Sequence, residues 1–360
     1  MFSIIKEEWR AVWHDEGVAL IVVFALFIYG ISYSLGYGGE VLDNVPIAVV
    51  GGDKGAVGRH LVEMFDASPK LRVAHEVADV KVAEQLLRER KVWGVIALEP
   101  NFESKLLTQR QAKVAILGDA SYFLAYREVV SGAVATIQQM NVEIIEGREG
   151  FYNPPIIYEQ RNLFNPSLGY GIFVMPAIIL LIVQQTALIG IGMVSATRKE
   201  QNLHYASNSA FIVTIGRTLV YFAIYALTLG FMLTVHYSLF DYPMRGAWWR
   251  CLAVVVPYML SVILWAQMIG ALFRSRESSL VWLLWLSIPF LLVSGVSLPP
   301  EAFPQWLYVA GRVVPSSSAV GAWIAVQSMG AALSDVATEL SVLWILVIVY
   351  GAGAVIANRR

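Results

Sequence analysis

The sequence predicts a polytopic α-helical membrane protein in which six transmembrane helices, arranged as one plus five, flank an inserted extracytoplasmic α/β domain. Three observations predict this class. Of the 360 residues, 57% are apolar and 15% are charged, and the mean hydropathy is +0.60, whereas soluble domains are about one quarter charged. Apolar runs of about 20 residues, the length that crosses a bilayer, occur once near the amino terminus and repeatedly in the second half. A water-soluble interval, residues 37–167, separates them.

The first predicted span is Gly17–Gly36, preceded by a cytoplasmic interfacial helix over residues 1–16. This apolar run is longer than that of a usual signal peptide and no A-x-A-like site follows it, so we expect an uncleaved anchor. Residues 168–360 are predicted to form a five-helix transmembrane domain. Its spans are expected over Tyr170–Val194, Phe211–Val235, Leu252–Phe273, Leu280–Val296 and Leu340–Ala357.

Lysine and arginine residues near the ends of these spans predict the orientation. Most of them fall on one side, which the positive-inside rule places in the cytoplasm together with both termini. The other side is poorer in positive charge, with Arg245, Arg250 and Arg312. The residues on the predicted cytoplasmic side are Lys6, Arg10, Arg198, Lys199, Arg274, Arg276, Arg359 and Arg360.

The segment 298–338 is too apolar for an ordinary loop and contains four prolines that would interrupt a single span, at Pro299, Pro300, Pro304 and Pro315. We expect re-entrant helices that dip into the outer leaflet and pack against protein. A seventh, shorter span over Ala319–Leu333 is the alternative.

The external domain, residues 37–167, alternates strand-like and helix-like segments, which predicts a small α/β domain with a substantially parallel sheet. The single cysteine, Cys251, excludes an intramolecular disulfide. Phe151–Pro166 is predicted to be an extended link into the second span. The predicted strands are Pro46–Val50, Leu71–Val77, Trp93–Leu98 and Lys113–Leu117, and the predicted helices are Val57–Phe65, Val82–Arg90 and Tyr126–Glu146.

Motifs for catalysis are absent from the sequence. It contains no G-x-x-x-x-G-K-[ST] loop, no G-x-S-x-G elbow and no clustered metal ligands, so we expect a non-catalytic chain. The glycine-rich stretch Gly51–Gly58 follows a predicted strand and precedes a predicted helix. An ordinary turn and an anion site both fit it, and its spacing favours the turn.

Polar residues are few within the predicted spans, which contain essentially no acidic or histidine side chains of the kind that proton relays need. Gln184, Gln185 and Gln267 are candidate intramembrane polar contacts. Interhelical hydrogen bonds and substrate contact would each explain them. We expect Arg217 to snorkel to the cytoplasmic end of its span. Energy for any transport is therefore expected to come from another chain.

Two cytoplasmic features could receive that energy. In the first, Phe2, Ile5 and Trp9 share one helical face with Val12, which predicts an interfacial helix. The second is the polar connector Ser195–Ser209 between the second and third predicted spans. A plain solvated loop is the alternative for this connector.

Several short motifs, in their order and spacing, resemble the permease subunits of type-2 ABC exporters, in the branch with a large extracytoplasmic domain after the first span. The resemblance covers nearly the whole chain. The motifs are Val45–Val50, Trp93–Ile96 with Phe102 and Leu106, Gly118–Ala120, Phe164–Ser167, Met175–Pro176, Ser294–Gly295, Pro299, Phe303–Pro304, Trp306 and Pro315.

The resemblance implies a bacterial inner-membrane subunit that pairs with a second permease, as a homodimer or heterodimer, and with a cytoplasmic ABC ATPase dimer. ATP and Mg would be bound by that ATPase, so no cofactor is expected in this chain. A periplasmic adaptor protein and membrane lipid are possible further partners, and nucleic acid is not expected.

By the same resemblance, the connector looks like the coupling helix that docks on the ATPase. Relatives often carry an E-R-x-x-G-T-like run there, from which this chain departs, and the departure is compatible with one half of an asymmetric pair. The candidate coupling residues are Thr197, Arg198, Lys199, Glu200, Gln201 and Asn202.

The leading hypothesis is a permease that moves a hydrophobic or amphipathic substrate, such as a drug or lipid-like molecule, out of the cytoplasm or inner membrane. The alternative is a non-transporting membrane scaffold or signal transmitter whose external domain binds a cell-envelope partner. A membrane-embedded transferase ranks third, because the predicted spans contain no cluster of ionisable residues.

Overall fold

The chain divides into two compact units in the computed structural model: Met1–Gly38 with Tyr170–Arg360, and Gly39–Gly169. The structure describes residues 1–37, 42–51, 55–89, 91–108, 110–118, 123–146, 170–205, 209–296 and 303–359. Some predictions lie outside these residues. They are the link Phe151–Pro166, the motif Phe164–Ser167, most of Gly118–Ala120, the middle of Gly51–Gly58, and the first residues of segment 298–338 with Pro299 and Pro300.

Within the described residues of the helical unit, six helices are long and apolar enough to cross a membrane, which agrees with the predicted polytopic class. The amino-terminal helix, Phe2–His14, precedes them. The six are span 1 (Glu16–Gly36), span 2 (Val174–Glu200), span 3 (Ala210–Leu239), span 4 (Trp248–Gly270), span 5 (Arg276–Val293) and span 6 (Ala337–Ala357).

Spans 2 and 4 form the centre of the bundle. Of their most apolar stretches, 78% and 67% of the residues are buried, against 11% in span 5 and 22% in span 6. The shared core includes Tyr258 of span 4, whose hydroxyl donates to the Leu180 carbonyl of span 2 at 2.5 Å. Spans 5 and 6 therefore leave most of their apolar surface for lipid or for another chain.

Span 3 extends past its predicted end at Val235 because it contains a π-helical turn, Met232–His236. His236 therefore lies within a span, and the expectation that the spans contain no histidine is wrong. The ring is buried, and its Nε2 lies 2.9 Å from the Ser34 Oγ of span 1. The Tyr242 hydroxyl donates to the same Ser34 oxygen at 3.1 Å, so a polar cluster joins spans 1 and 3.

Span 1 contains a second π-helical turn, Leu20–Phe24. Val22 in this turn packs against Gly190 of span 2, where an added Cβ would lie 2.2 Å from the Val22 Cγ2 atom. The glycine thus permits a close approach of the two helices, which is how small residues favour packing between membrane helices.

Two of the predicted apolar segments are broken. Span 5 consists of two helices, Arg276–Trp285 and Ser287–Val293. After it, the helices Gln305–Gly311 and Pro315–Met329 meet at an angle of 91°. Proline at the first helical position suits the start of the second helix. The bend is compatible with a re-entrant pair and with a broken span, so both predictions for this segment stand.

The second unit contains a four-stranded sheet with strand order β2-β1-β3-β4. Strand β1 pairs in parallel with β2 and β3, whereas β3 and β4 are antiparallel. The predicted strands agree with the observed ones to within one residue at each end. The strands are β1 (Val45–Val50), β2 (Leu71–Val77), β3 (Gly94–Leu98) and β4 (Val114–Gly118).

Helices cover both faces of this sheet. Successive side chains of β1 point to opposite sides, so this strand contributes apolar residues to both faces. Ile47 and Val49 pack with Phe65 and Val129 on one face, where the helices Ala56–Ala67, Phe102–Leu107 and Phe123–Glu146 lie. On the other face, Ala48 and Val50 pack against the helix Val80–Arg88. The short helix Phe102–Leu107 was not predicted from the sequence.

Substitution of Gly190 by alanine tests the packing of spans 1 and 2. We expect Gly190→Ala to lower the free energy of unfolding by about 1–3 kcal/mol, the usual cost of overpacking. Gly230→Ala in span 3 is the matched control, because its added Cβ would meet no atom within 4 Å. The measurement is the thermal unfolding midpoint in detergent, and an equal midpoint for both variants would contradict the close packing.

Candidate functional site

A buried ionic network lies at the end of the helical unit that carries both chain termini. At its centre is Glu8, whose side chain is fully buried. The amino-terminal helix, the end of span 2 and the start of span 3 contribute to the network, and Asn358 joins it from beyond span 6. This region contains both features that the sequence predicts to be cytoplasmic, so we treat it as the candidate functional site.

The amino-terminal helix presents Ile4, Glu8 and Val12 inward, since residues four apart share one helical face. Phe2 and Trp9 are exposed, at 85% and 43%, and Ile5 is partly buried. An exposed apolar stripe of this kind suits a helix lying in the membrane interface. The prediction that Val12 shares this stripe is wrong, because Val12 is completely buried.

Gly216 of span 3 allows this helix to approach closely. A Cβ added there would lie 2.9 Å from the Ile4 Cγ2 atom. Glu8 lies one helical turn beyond Ile4. The close approach at Gly216 therefore also brings Glu8 against the polar residues of span 3.

Four side chains hold the Glu8 carboxylate. Oε1 accepts hydrogen bonds from Arg217 Nε and the Tyr221 hydroxyl, both at 2.9 Å. Oε2 accepts one from the Tyr205 hydroxyl at 2.8 Å, and Arg198 Nη2 lies 3.6 Å from it. The carboxylate therefore joins the amino-terminal helix to both the connector and span 3 through charge-assisted hydrogen bonds.

The surroundings of Glu8 favour its ionised form. Burial by itself would raise the pKa of this carboxyl, but the guanidinium groups of Arg217 and Arg198 and the hydrogen bond from Tyr205 lower the pKa below its usual value. Burial, with the charge of Glu8, raises the pKa of Tyr205 far above its usual value. The Tyr205 hydroxyl thus remains protonated and donates to the carboxylate.

Arg217 extends the network across the bundle. Its Nη2 donates to Ser195 Oγ at 2.7 Å and its Nη1 to Asn358 Oδ1 at 3.2 Å. The expectation that Arg217 snorkels to solvent is wrong, because the residue is 2% exposed and paired with Glu8. Its charge is compensated inside the protein.

The three predicted intramembrane glutamines all make contacts between segments. Gln267 Nε2 donates to Thr218 Oγ1 at 2.8 Å, and its Oε1 lies 3.5 Å from Asn358 Nδ2, at the edge of the Glu8 network. Gln184 Oε1 accepts from the Ser316 N–H at 3.0 Å, and Gln185 Nε2 donates to the Leu283 carbonyl at 2.6 Å. In each case the geometry is that of a hydrogen bond that holds helices together.

The connector begins with a capped helix end. Asn202 has a left-handed backbone, with φ +53°. Its N–H donates to the Lys199 carbonyl at 3.3 Å, and the Leu203 N–H donates to the Arg198 carbonyl at 2.8 Å. This is the Schellman arrangement, in which asparagine is one of the few residues that tolerate the left-handed position.

The six predicted coupling residues divide into two groups. Thr197 and Arg198 are partly buried, and the Arg198 guanidinium lies 4.0 Å from the centroid of the Tyr205 ring. The others are exposed, as are Leu203 and His204, which the sequence-based prediction left out. We call residues 199–204 the connector tip. The exposed members of the predicted set are Lys199, Glu200, Gln201 and Asn202.

A second ion pair fixes the same end of the bundle. Arg276, at the start of span 5, binds both carboxylate oxygens of Asp15, with Nη2 2.8 Å from Oδ1. Asp15 also caps span 1 by accepting from the Val18 N–H at 3.1 Å. Burial would raise the pKa of Asp15, but the hydrogen bonds from Arg276 and Val18 lower it below its usual value. The Arg276 backbone N–H approaches Glu200 Oε2 at 3.4 Å.

Among the side chains that the structure describes, no group of three or more His, Cys, Asp or Glu residues is placed to hold a metal ion. The interactions around Glu8 join helices to one another. Their arrangement offers a mechanical link between the connector tip and the interior of the bundle.

Comparison with known proteins assigns this architecture to a family. The family described as ABC-2 family transporter protein matches residues 17–356. A probable multidrug ABC transporter permease, YbhR, of Escherichia coli K12 is 20% identical over 314 residues, which cover 85% of this chain and 84% of the relative. The same protein of E. coli O157:H7 matches equally. No solved structure matches the chain.

Replacement of Glu8 by glutamine removes the charge that compensates Arg217 and Arg198. We expect Glu8→Gln to lower the free energy of unfolding at neutral pH by about 3–5 kcal/mol, as when one partner of a buried ion pair is lost. Glu7→Gln is the matched control. Glu7 lies 4.0 Å from Arg198 and its side chain is 35% exposed, so its loss is expected to cost under about 1 kcal/mol.

The stabilisation by Glu8 also depends on pH in a defined direction. Because its folded pKa lies below the ordinary value of 4.5, the contribution is present above that pH and is lost as the pH falls through the folded value. The unfolding midpoints of wild type and Glu8→Gln, followed by tryptophan fluorescence, should therefore converge in acid. Equal midpoints at neutral pH would contradict this role for Glu8.

Substitutions at Asn202 test the cap of span 2. Asn202→Gly should preserve the connector, because glycine adopts positive φ without strain. Asn202→Val should cost about 1–3 kcal/mol locally, since a β-branched residue is strained in that region. Limited trypsin digestion after Arg198 and Lys199 is expected to be faster in Asn202→Val alone, and equal rates in the two variants would contradict the cap.

Proposed function

This chain belongs to the ABC-2 family of transporter proteins, and from this premise we propose that it is the permease of an ATP-driven exporter in a bacterial inner membrane. A permease of this family implies a separate ATPase and a second permease subunit. We propose that the cargo is hydrophobic or amphipathic. The relative YbhR is described as a probable multidrug permease, which supports a drug-like molecule.

The proposed orientation places both termini and the connector tip in the cytoplasm and the α/β unit in the periplasm. The support is the distribution of positive charge, since Arg198, Lys199, Arg274 and Arg276 all lie at the end of the bundle that carries the termini. In this orientation the α/β unit is available to a periplasmic adaptor, to cargo or to another copy of the chain.

The observation that carries the proposal is the division of the connector into an anchored part and an exposed tip. Arg198 and Tyr205 are held by the buried carboxylate of Glu8, while residues 199–204 between them are exposed. A docking surface needs accessible side chains, and a transmitting element needs rigid attachment to what it moves. The connector combines the two, and we propose that its tip binds the ATPase.

In the proposed mechanism, closure of the ATPase dimer on ATP displaces the connector tip. ATP and Mg are bound by the ATPase chains, and this chain contributes no catalytic group. Because separating Glu8 from its two arginines would leave buried charges unpaired, the amino-terminal helix, the connector and the start of span 3 move together. Asn358 and Gln267 extend that movement to spans 6 and 4.

The double variant Gln201→Ala with Leu203→Ala tests the docking surface. Leu203 is 53% exposed, and truncation of two central contacts is expected to weaken ATPase binding by about tenfold or more. The measurements are co-purification of a P-loop ATPase with the full chain after mild extraction, and ATP hydrolysis by the complex. Leu239→Ala is the control, because Leu239 is also exposed, at 73%, but ends span 3 on the opposite side.

Undiminished co-purification and hydrolysis in the double variant would exclude the connector tip as the docking surface. If no P-loop ATPase accompanied the wild-type chain, the alternative of a membrane scaffold whose external domain binds an envelope partner would be favoured instead.

A further inference from the structure

Two cavities lie side by side at the end of the helical unit that carries the termini. The first, the polar cavity, has a volume of about 690 Å³ and lies under the connector, with Arg198, Lys199, Tyr205, Arg217 and Asn358 in its walls. The second, the apolar groove, has a volume of about 660 Å³ and runs between spans 3 and 6. Ile356 and Arg359 line both. The polar cavity and the apolar groove are therefore adjacent and meet at these two residues.

The apolar groove presents a surface that suits a hydrocarbon chain. Phe211 and Leu219 of span 3 and Ile348 of span 6 line it and are 61%, 45% and 70% exposed. The two hydroxyls in its wall are already bonded to carbonyls of their own helix: Thr214 Oγ1 donates to the Ala210 carbonyl at 2.9 Å and Thr218 Oγ1 to that of Thr214 at 2.8 Å. The groove thus offers few free hydrogen-bonding groups along its length.

The polar cavity has an excess of positive charge. Arg217 is compensated by Glu8, and Arg198 lies near both Glu8 and Glu7. Two further cations then remain. Lys199 donates to the Ala271 carbonyl at 3.1 Å, which occupies one of its three N–H donors.

Arg359 is the second remaining cation, and it stands where the cavity and the groove meet. It follows the end of span 6 and its side chain is exposed. Residues just beyond the end of a spanning helix lie near the lipid headgroups, where a guanidinium can pair with a phosphate.

We propose that the polar cavity and the apolar groove together bind a membrane phospholipid with an anionic headgroup. One acyl chain lies in the groove between spans 3 and 6, and the headgroup phosphate contacts Lys199 and Arg359. Basic pockets between transmembrane helices are a known mode of recognition for anionic headgroups. The bound lipid would contact the wall of the connector, so the lipid composition of the membrane would influence how the connector is held.

Native mass spectrometry of the detergent-solubilised full chain tests this site without any partner protein. The probes are palmitoyl-oleoyl phosphatidylglycerol, which is anionic, and palmitoyl-oleoyl phosphatidylcholine, which is zwitterionic and carries the same chains. We expect wild type to retain the anionic lipid in preference. Arg359→Ala should reduce that preference about fivefold, because one cation near a membrane surface contributes about 1 kcal/mol.

A second variant tests the apolar groove. Ala352 lines it and is exposed, so a bulky side chain there can occupy the groove without entering the core. Ala352→Phe is expected to reduce retention of both lipids, by contrast with the selective effect of Arg359→Ala.

Two controls carry the same chemical changes elsewhere. Arg274→Ala removes an exposed arginine from the same end of the bundle, and Ala310→Phe adds a ring at an exposed position in the helix Gln305–Gly311. Neither residue lines the cavities, so both variants should bind lipid as wild type does.

Equal retention of the two lipids by wild type, or a preference unchanged in Arg359→Ala, would overturn the proposal. Loss of ATPase binding would not affect either result, so the two proposals fail separately.

Discussion

The desolvation of one carboxylate constrains the whole terminal end of the helical unit. Glu8 is removed from water, and a buried charge is tolerated only when it is paired and hydrogen-bonded. Its partners come from separate segments: Arg198 and Tyr205 flank the connector tip, and Arg217 belongs to span 3. The amino-terminal helix, the connector and span 3 must therefore assemble together for any of these charges to be satisfied.

This constraint gives the buried and exposed parts of the connector different tasks. The buried side chains satisfy Glu8 and fix the position of the segment, while residues 199–204 remain exposed to contacts outside the chain. Next to it, Arg359 lies between a polar and an apolar cavity. Protein partner and membrane lipid would then both act on the same short segment, since Lys199 and Leu203 of the connector tip also line the polar cavity.

Much of the architecture was predictable, because apolar runs and residue alternation are local signals. The spans and all four strands follow from them. The site was less predictable, since Arg217 and Glu8 are 209 positions apart and nothing local marks them as partners. His236 was missed because the apolar run ends before it, while a π-helical turn extends the helix. Glu8 could have been noticed as an acidic residue on the same stripe as Ile4 and Val12.

The π-helical turn of span 3 has an evolutionary consequence. In it the Tyr237 N–H bonds to the Met232 carbonyl, five residues back instead of four, so the turn accommodates one residue more than an α-helix would. A deletion of a single residue there would restore α-helical spacing and keep the register of the helix on either side, but it would move the side chains within the turn, including that of His236. The histidine ring would then leave Ser34 of span 1. Chain length can therefore change at this turn without rotating the rest of span 3, whereas each residue deleted from the neighbouring α-helical stretches would rotate everything beyond it by about 100°. The cost of a deletion here falls on the contact between His236 and Ser34.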